Sequence, residues 1–149
     1  MKKSSRLFLF PDINVWLALT YDRHVHHAAA HQWFDNLSST TRFFFCRLTQ
    51  LGLLRLLGSP AVMAPDRALS QQQAWAAYDQ WLADDRVEFL DEPIGLEQPF
   101  RALTQSRSAS PKDWADSYLS AFAHASRLTL VTFDRALQNK ARDLVLLRG

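Results

Sequence analysis

Short, continuous apolar runs alternate along the chain with longer stretches whose apolar residues recur at helical spacing. Residues 7–10, 43–46, 87–90, 128–132 and 144–147 are short apolar runs that predict strands, the first of them fully buried. Between them, residues 15–21, 26–37, 48–57, 70–82, 96–106, 110–126 and 135–141 read as helices. In the second of these, Ala28, Ala29, Ala30, Trp33, Phe34 and Leu37 suit burial on a helix. Gly58, Ser59 and Pro60 stop the third helix, and residues 61–68 read as a loop. Pro93, Gly95 and Pro99 disturb the start of the fifth. The helix over 110–126 carries the clearest opening, with Ser110 at the cap, Pro111 at the first helical position and Asp113 three residues after the cap. Five short strands separated by helices predict an α/β chain: a three-layer α/β/α sandwich around a mostly parallel five-stranded sheet, with right-handed crossovers.

Composition narrows this picture without changing it. At 149 residues and 48% apolar content, the chain suits one compact domain, expected to span residues 1–149. The net charge of +2 announces no nucleic-acid binder, so any such contact must come from a local patch. Cys46 is the only cysteine, which excludes an intramolecular disulfide and a cysteine-based zinc cluster and predicts a small buried residue. The start, Lys2-Lys3-Ser4-Ser5-Arg6 followed by residues 7–10, imitates a signal peptide, but Pro11 and Asp12 end the apolar run too early. No segment approaches the roughly 20 apolar residues of a membrane span. A soluble, cytoplasmic protein is expected.

Chemistry enters with four carboxylates. Asp12 follows the first strand, Asp134 follows the fourth, and Asp113 and Asp116 share a face in the first turns of the helix over 110–126. In an open parallel sheet these positions meet at the carboxyl edge, where ligands bind. Oxygen ligands gathered there suit a hard divalent cation, Mg2+ or Mn2+. Such a site fits phosphodiester cleavage, which needs charge compensation at the phosphate and an activated water. Each acid also has a plainer reading: Asp12, Asp113 and Asp134 as helix caps, Asp116 as a solvated acid. Asn14 and Thr132 are supporting polar candidates, with turn or strand roles as their alternatives. His27 and His31 have helical metal-ligand spacing but lack the companion glutamate, so His24, His26, His27 and His31 read as surface or packing residues. Trp33, Trp75, Trp81 and Phe122 read as core or dimer contacts. Arg47, Arg55, Arg107, Lys112 and Arg135 are candidates for a phosphate-binding rim.

The segments Pro11-Asp12-Ile13-Asn14, Asp116-Ser117-Tyr118-Leu119-Ser120-Ala121-Phe122-Ala123 and Leu130-Val131-Thr132-Phe133-Asp134 together resemble the PIN-domain ribonucleases, most closely the VapC toxins of bacterial toxin-antitoxin pairs. The resemblance covers nearly the whole chain and rests on the order and spacing of short motifs. It implies a metal-dependent endoribonuclease, with Asp12, Asp116 and Asp134 as catalytic, metal-binding acids and Asn14 and Thr132 beside them. It also implies an RNA substrate, a homodimer and a cognate VapB-like antitoxin. One position departs from the pattern: where the family usually has a glutamate, in the stretch 46–55, this chain has Gln50. An amide oxygen can ligate but brings no charge, so either metal affinity falls or Asp113 partly replaces the acid.

Two rival functions follow from the same residues. An aspartyl-nucleophile phosphatase also starts with an acid after the first strand, but Asn14 stands where its general acid is needed. A catalytically weak PIN-like domain acting through RNA or protein binding is the alternative that Gln50 keeps open.

Overall fold

Strand β1 (Phe8–Pro11) is followed after one residue by α1 (Ile13–Thr20), then α2 (His27–Asp35), β2 (Arg42–Phe45), α3 (Arg47–Leu57), α4 (Pro60–Met63), α5 (Gln71–Leu82) and β3 (Val87–Phe89). The chain continues through α6 (Glu97–Leu103), α7 (Asp113–Ser126), β4 (Thr129–Thr132), a 3-10 segment (Arg135–Asn139) and β5 (Leu144–Leu146). These elements come from a computed structural model that describes residues 7–149; the basic start with Lys2, Lys3 and Arg6 lies outside the described residues. No helix among the described residues is long and apolar enough to cross a membrane.

The five strands form one sheet in the order β3-β2-β1-β4-β5, and every neighbouring pair is parallel. The chain therefore builds outward from β1 to β3, then returns to the other side of β1 with β4. That reversal leaves a crevice outside the carboxyl ends of β1 and β4, the place where open α/β sheets bind ligands.

Alternation along the strands sorts the core into two layers, as the two-residue period of a strand requires. Leu9, Phe43, Phe45 and Val131 pack with Val15, Trp16, Leu53 and Tyr78 from α1, α3 and α5. Phe10, Phe44 and Leu130 face the opposite way, against Leu119, Phe122 and Ala123 of α7. Aromatic stacking seals both layers: Trp16 lies on Phe45 with ring centroids 3.9 Å apart, and Phe10 on Phe122 at 4.9 Å. Burial on both faces explains why the central strands β1 and β2 read as unbroken apolar runs. Cys46 is free and buried.

A close approach of α3 to α1 sets the entry to the crevice. A Cβ at Gly52 would collide with the side chain of Ile13, the residue directly after Asp12. Glycine there lets α3 seat against the first turn of α1.

Three segments differ from the sequence reading. Residues 60–63 form a short helix within the expected loop, because the Ser59 hydroxyl accepts from Val62 N at 3.4 Å and Pro60 occupies the first turn. The expected helix over 135–141 is a 3-10 segment of five residues, started by Asp134. The helix expected from Ser110 starts at Asp113 instead. Ser110 gives its backbone carbonyl to Asp113 N at 3.0 Å, while its hydroxyl turns back toward Ser108. The expected capping box is absent, and the Asp113 carboxylate pairs with Lys140.

Candidate active site

Asp12 is the last link of the β1 ladder as well as the first of the site. Its N–H donates to Val131 O at 2.9 Å, which fixes the residue between β1 and β4 with an extended backbone. One carboxylate oxygen accepts from Val15 N at 3.0 Å, capping α1; the other accepts from the hydroxyl of Thr132. Asp12 is only 6% exposed, and Thr132 is fully buried. Burial pushes the Asp12 carboxyl up to about 6, opposed by the Thr132 and Val15 hydrogen bonds and reinforced by repulsion from Asp116 and Asp134.

Thr132 ties two acids together. Besides donating to Asp12, its oxygen accepts from Asp134 N at 3.0 Å. Asp134 is exposed and caps the 3-10 segment through Ala136 N at 2.9 Å. The cap roles of Asp12 and Asp134 are thus both present in the geometry, and capping leaves each carboxylate with further lone pairs.

Across the crevice, α7 supplies Asp113 and Asp116 on one face. Asp116 is half-buried, and its carboxyl is raised by desolvation first, then by Asp134 and Asp113, with Lys140 pulling the other way. Asp113 pairs with Lys140 Nζ at 2.5 Å. The same ammonium donates to the Ser117 hydroxyl at 2.9 Å. An open groove of about 610 Å³ runs past Asp113, Asp116, Ala136 and Lys140. Lys140 is the site residue that sequence reasoning missed. Its partners lie 23 and more residues away, so no local pattern marks it.

Other candidates fall into place around this crevice. Asn14 is exposed at the start of α1, with no side-chain hydrogen bond among the described residues. Gln50 is buried in the first turns of α3. Its amide oxygen accepts from the Arg47 guanidinium at 2.6 Å. Arg47 further lies over the Phe89 ring at 4.7 Å. Arg55, Arg107, Lys112 and Arg135 are exposed. His27 and His31 donate to Ala18 O at 2.7 Å and Leu19 O at 2.9 Å, fastening α2 to the end of α1. Phe122 is fully buried, and Trp33 and Trp81 pack against the core, while Trp75 is 47% exposed.

The donor set fits a hard divalent cation. A buried carboxylate held up by desolvation and by two like-charged neighbours is relieved by a positive ion, and all donors are oxygens. Among the described residues no three His, Cys, Asp or Glu side chains form a ready-made cage. An ion would thus take one or two carboxylates and keep several waters, which is the habit of Mg2+.

Comparison with known proteins agrees with this architecture. The PIN domain family matches residues 9–143. Ribonuclease VapC41 of Mycobacterium tuberculosis is 44% identical over 131 residues, covering 86% of this chain and 90% of its own length. Among solved structures, VapBC2 from Rickettsia felis, bound to a DNA fragment from its promoter, superposes with a TM-score of 0.66 at 14% identity, over 94% of this chain and 98% of that one. VapC20 of Mycobacterium tuberculosis, a toxin cleaving the sarcin-ricin loop, gives 0.62 at 16% identity, over 88% and 93%. With its five-stranded parallel sheet and these matches along most of its length, the chain belongs to the PIN domain family, among the VapC ribonucleases.

Proposed function

We propose that the protein is a metal-dependent endoribonuclease, the toxin of a type II toxin-antitoxin pair. The observation that carries this reading is Asp12: a carboxylate buried at the β1/β4 crevice, with its charged form disfavoured by burial and by Asp116 and Asp134. Folding tolerates such a group where a ligand restores the balance. A divalent cation, when bound, supplies charge compensation for the phosphate under attack. Asp12 and Asp116 are the residues to hold it, with Asp134 at the rim. Thr132 fixes the rotamer of Asp12, and Lys140 limits the repulsion between Asp113 and Asp116 while leaving an ammonium beside the groove. Similarity to VapC41 supports RNA as substrate, and similarity to the VapBC2 complex supports a VapB-like antitoxin as partner. A homodimer belongs to the same proposal.

Induced expression is expected to arrest growth of a bacterial host, and co-expression of the cognate antitoxin to restore it. The Asp12→Asn variant should be harmless at matched soluble level. Equal arrest by that variant would detach toxicity from the acid site.

Gln50 calls for a separate measurement, because Arg47 already occupies its amide oxygen. Gln50→Glu adds a charge that Arg47 partly neutralises, so the metal concentration for half-maximal cleavage should fall only modestly, by less than about tenfold. An unchanged metal dependence would place Gln50 outside the site. Asp113→Asn distinguishes the alternative: with Lys140 as its partner, Asp113 acts on the cleft through that ammonium, and its loss should alter metal affinity less than loss of Asp12.

A further inference from the structure

Lys140 borders more than the acid groove. Lys140 also lines a smaller cavity of about 160 Å³ between α6 and α7, and that cavity shares Ser120, His124 and Arg142 with a third, of about 530 Å³, at the far end of α7. Shared lining residues thus set the three depressions in succession along α7, from Asp116 by way of Lys140 to the amino ends of β4 and β5. Its far end is lined by His124, Arg127 and Arg142, with Asp143 as the one carboxylate. Arg127 and Arg142 are exposed, and neither makes an ion pair among the described residues. Arg127 stands at the left-handed end of α7, with φ 59°, so the chain turns there and presents the guanidinium beside the helix terminus. Ser120 lines both cavities, and its buried hydroxyl has no hydrogen-bond partner. A hydroxyl without a partner beside two free guanidinium groups suits an oxyanion.

We propose that the cleft of His124, Arg127 and Arg142 binds phosphodiester groups of the RNA strand, which reaches it from the acid groove past Lys140. This rests on the ribonuclease reading above. A scissile phosphate at Asp12 and Asp116 places flanking nucleotides along the groove, and this branch carries unpaired cations where a polyanion needs them. Contacts of this kind position the strand and read no sequence.

The test uses the full chain with Asp12→Asn, which prevents cleavage, and a fluorescent single-stranded RNA of about 16 nucleotides. Affinity is measured against salt for this parent and for the further pair Arg127→Asn and Arg142→Gln; asparagine tolerates the left-handed backbone. Loss of two phosphate contacts should flatten the salt slope by about 1.4, which at 0.1 M salt amounts to about 25-fold weaker binding. Arg142→Gln alone should give about half of the slope change, so a folding defect at Arg127 leaves the test intact. An unchanged slope overturns the proposal while leaving the ribonuclease reading standing. So does a variant that binds RNA normally but escapes the antitoxin, which would make the cleft a protein surface. Failure of the parent itself to bind RNA removes both readings together.

Discussion

Asp12→Asn should abolish RNA cleavage and at the same time make the metal-free protein more stable at neutral pH. The two effects have one cause. In the folded chain the Asp12 carboxyl is raised from the ordinary 3.8 to about 6, chiefly by burial. The folded state therefore holds a proton that the unfolded state releases, and stability falls as pH rises from about 4 through 6. At about 1.4 kcal/mol per unit, the ionised carboxylate costs about 3 kcal/mol above pH 7. An amide has no such cost. It can still cap Val15 N through its oxygen, while its NH2 donates to the Thr132 oxygen; that contact is kept with its direction reversed, as it is for the protonated carboxyl. Denaturation in chelator should show the variant matching the wild type near pH 4 and exceeding it by up to about 3 kcal/mol at pH 7.5. Cleavage should fall at least about 100-fold, since several kcal/mol of charge compensation go with the lost ligand. A variant less stable than the wild type at pH 7.5 would mean that the carboxylate serves the fold as a cap and stores nothing for a cation.

Thr132→Val has the opposite signature. Valine keeps the buried volume of the strand position but removes the hydroxyl that Asp12 and Asp134 share. Losing a hydrogen bond to its charged form raises the Asp12 carboxyl above about 6, so the pH at which cleavage appears should move upward. An oxygen of Asp12 and the N–H of Asp134 lose their partner, at a cost of about 1–3 kcal/mol in stability. Partners that orient a metal ligand are typically worth about 10–100-fold in affinity or rate, and the same is expected here. Metal titration at two pH values separates the effects. A rate loss with no shift in the pH profile would leave Thr132 a packing residue.

Much of the fold was legible because the central strands β1, β2 and β4 are largely buried on both faces. Residues 7–10 and 43–46 read as strands from their short apolar runs, and the end of the first put Asp12 at the sheet edge. Helical segments with long apolar stripes, such as α5 and α7, were equally visible. What failed was local chemistry overruled by distant contacts. Ser110, Pro111 and Asp113 spell a helix start, yet Asp113 is drawn to Lys140 and the helix begins later. Lys140 itself carries no signal, being an ordinary lysine after a 3-10 segment. The Arg47–Gln50 pair, three residues apart on α3, was readable as a helical neighbour contact, but the burial of Gln50 needed the fold. The four candidate acids stood out for a different reason: carboxylates beside buried strands or at a helix start need an explanation wherever they occur. Their company with Lys140 needed the fold.

Cleavage of RNA by the purified protein, followed as a function of Mg2+ or Mn2+ concentration in parallel with Asp12→Asn, tests the central claim most directly. Internal cuts should require the cation, vanish in chelator and return on adding metal back, with the variant inactive throughout. Cleavage that persists in chelator, or that Asp12→Asn leaves intact, would contradict it.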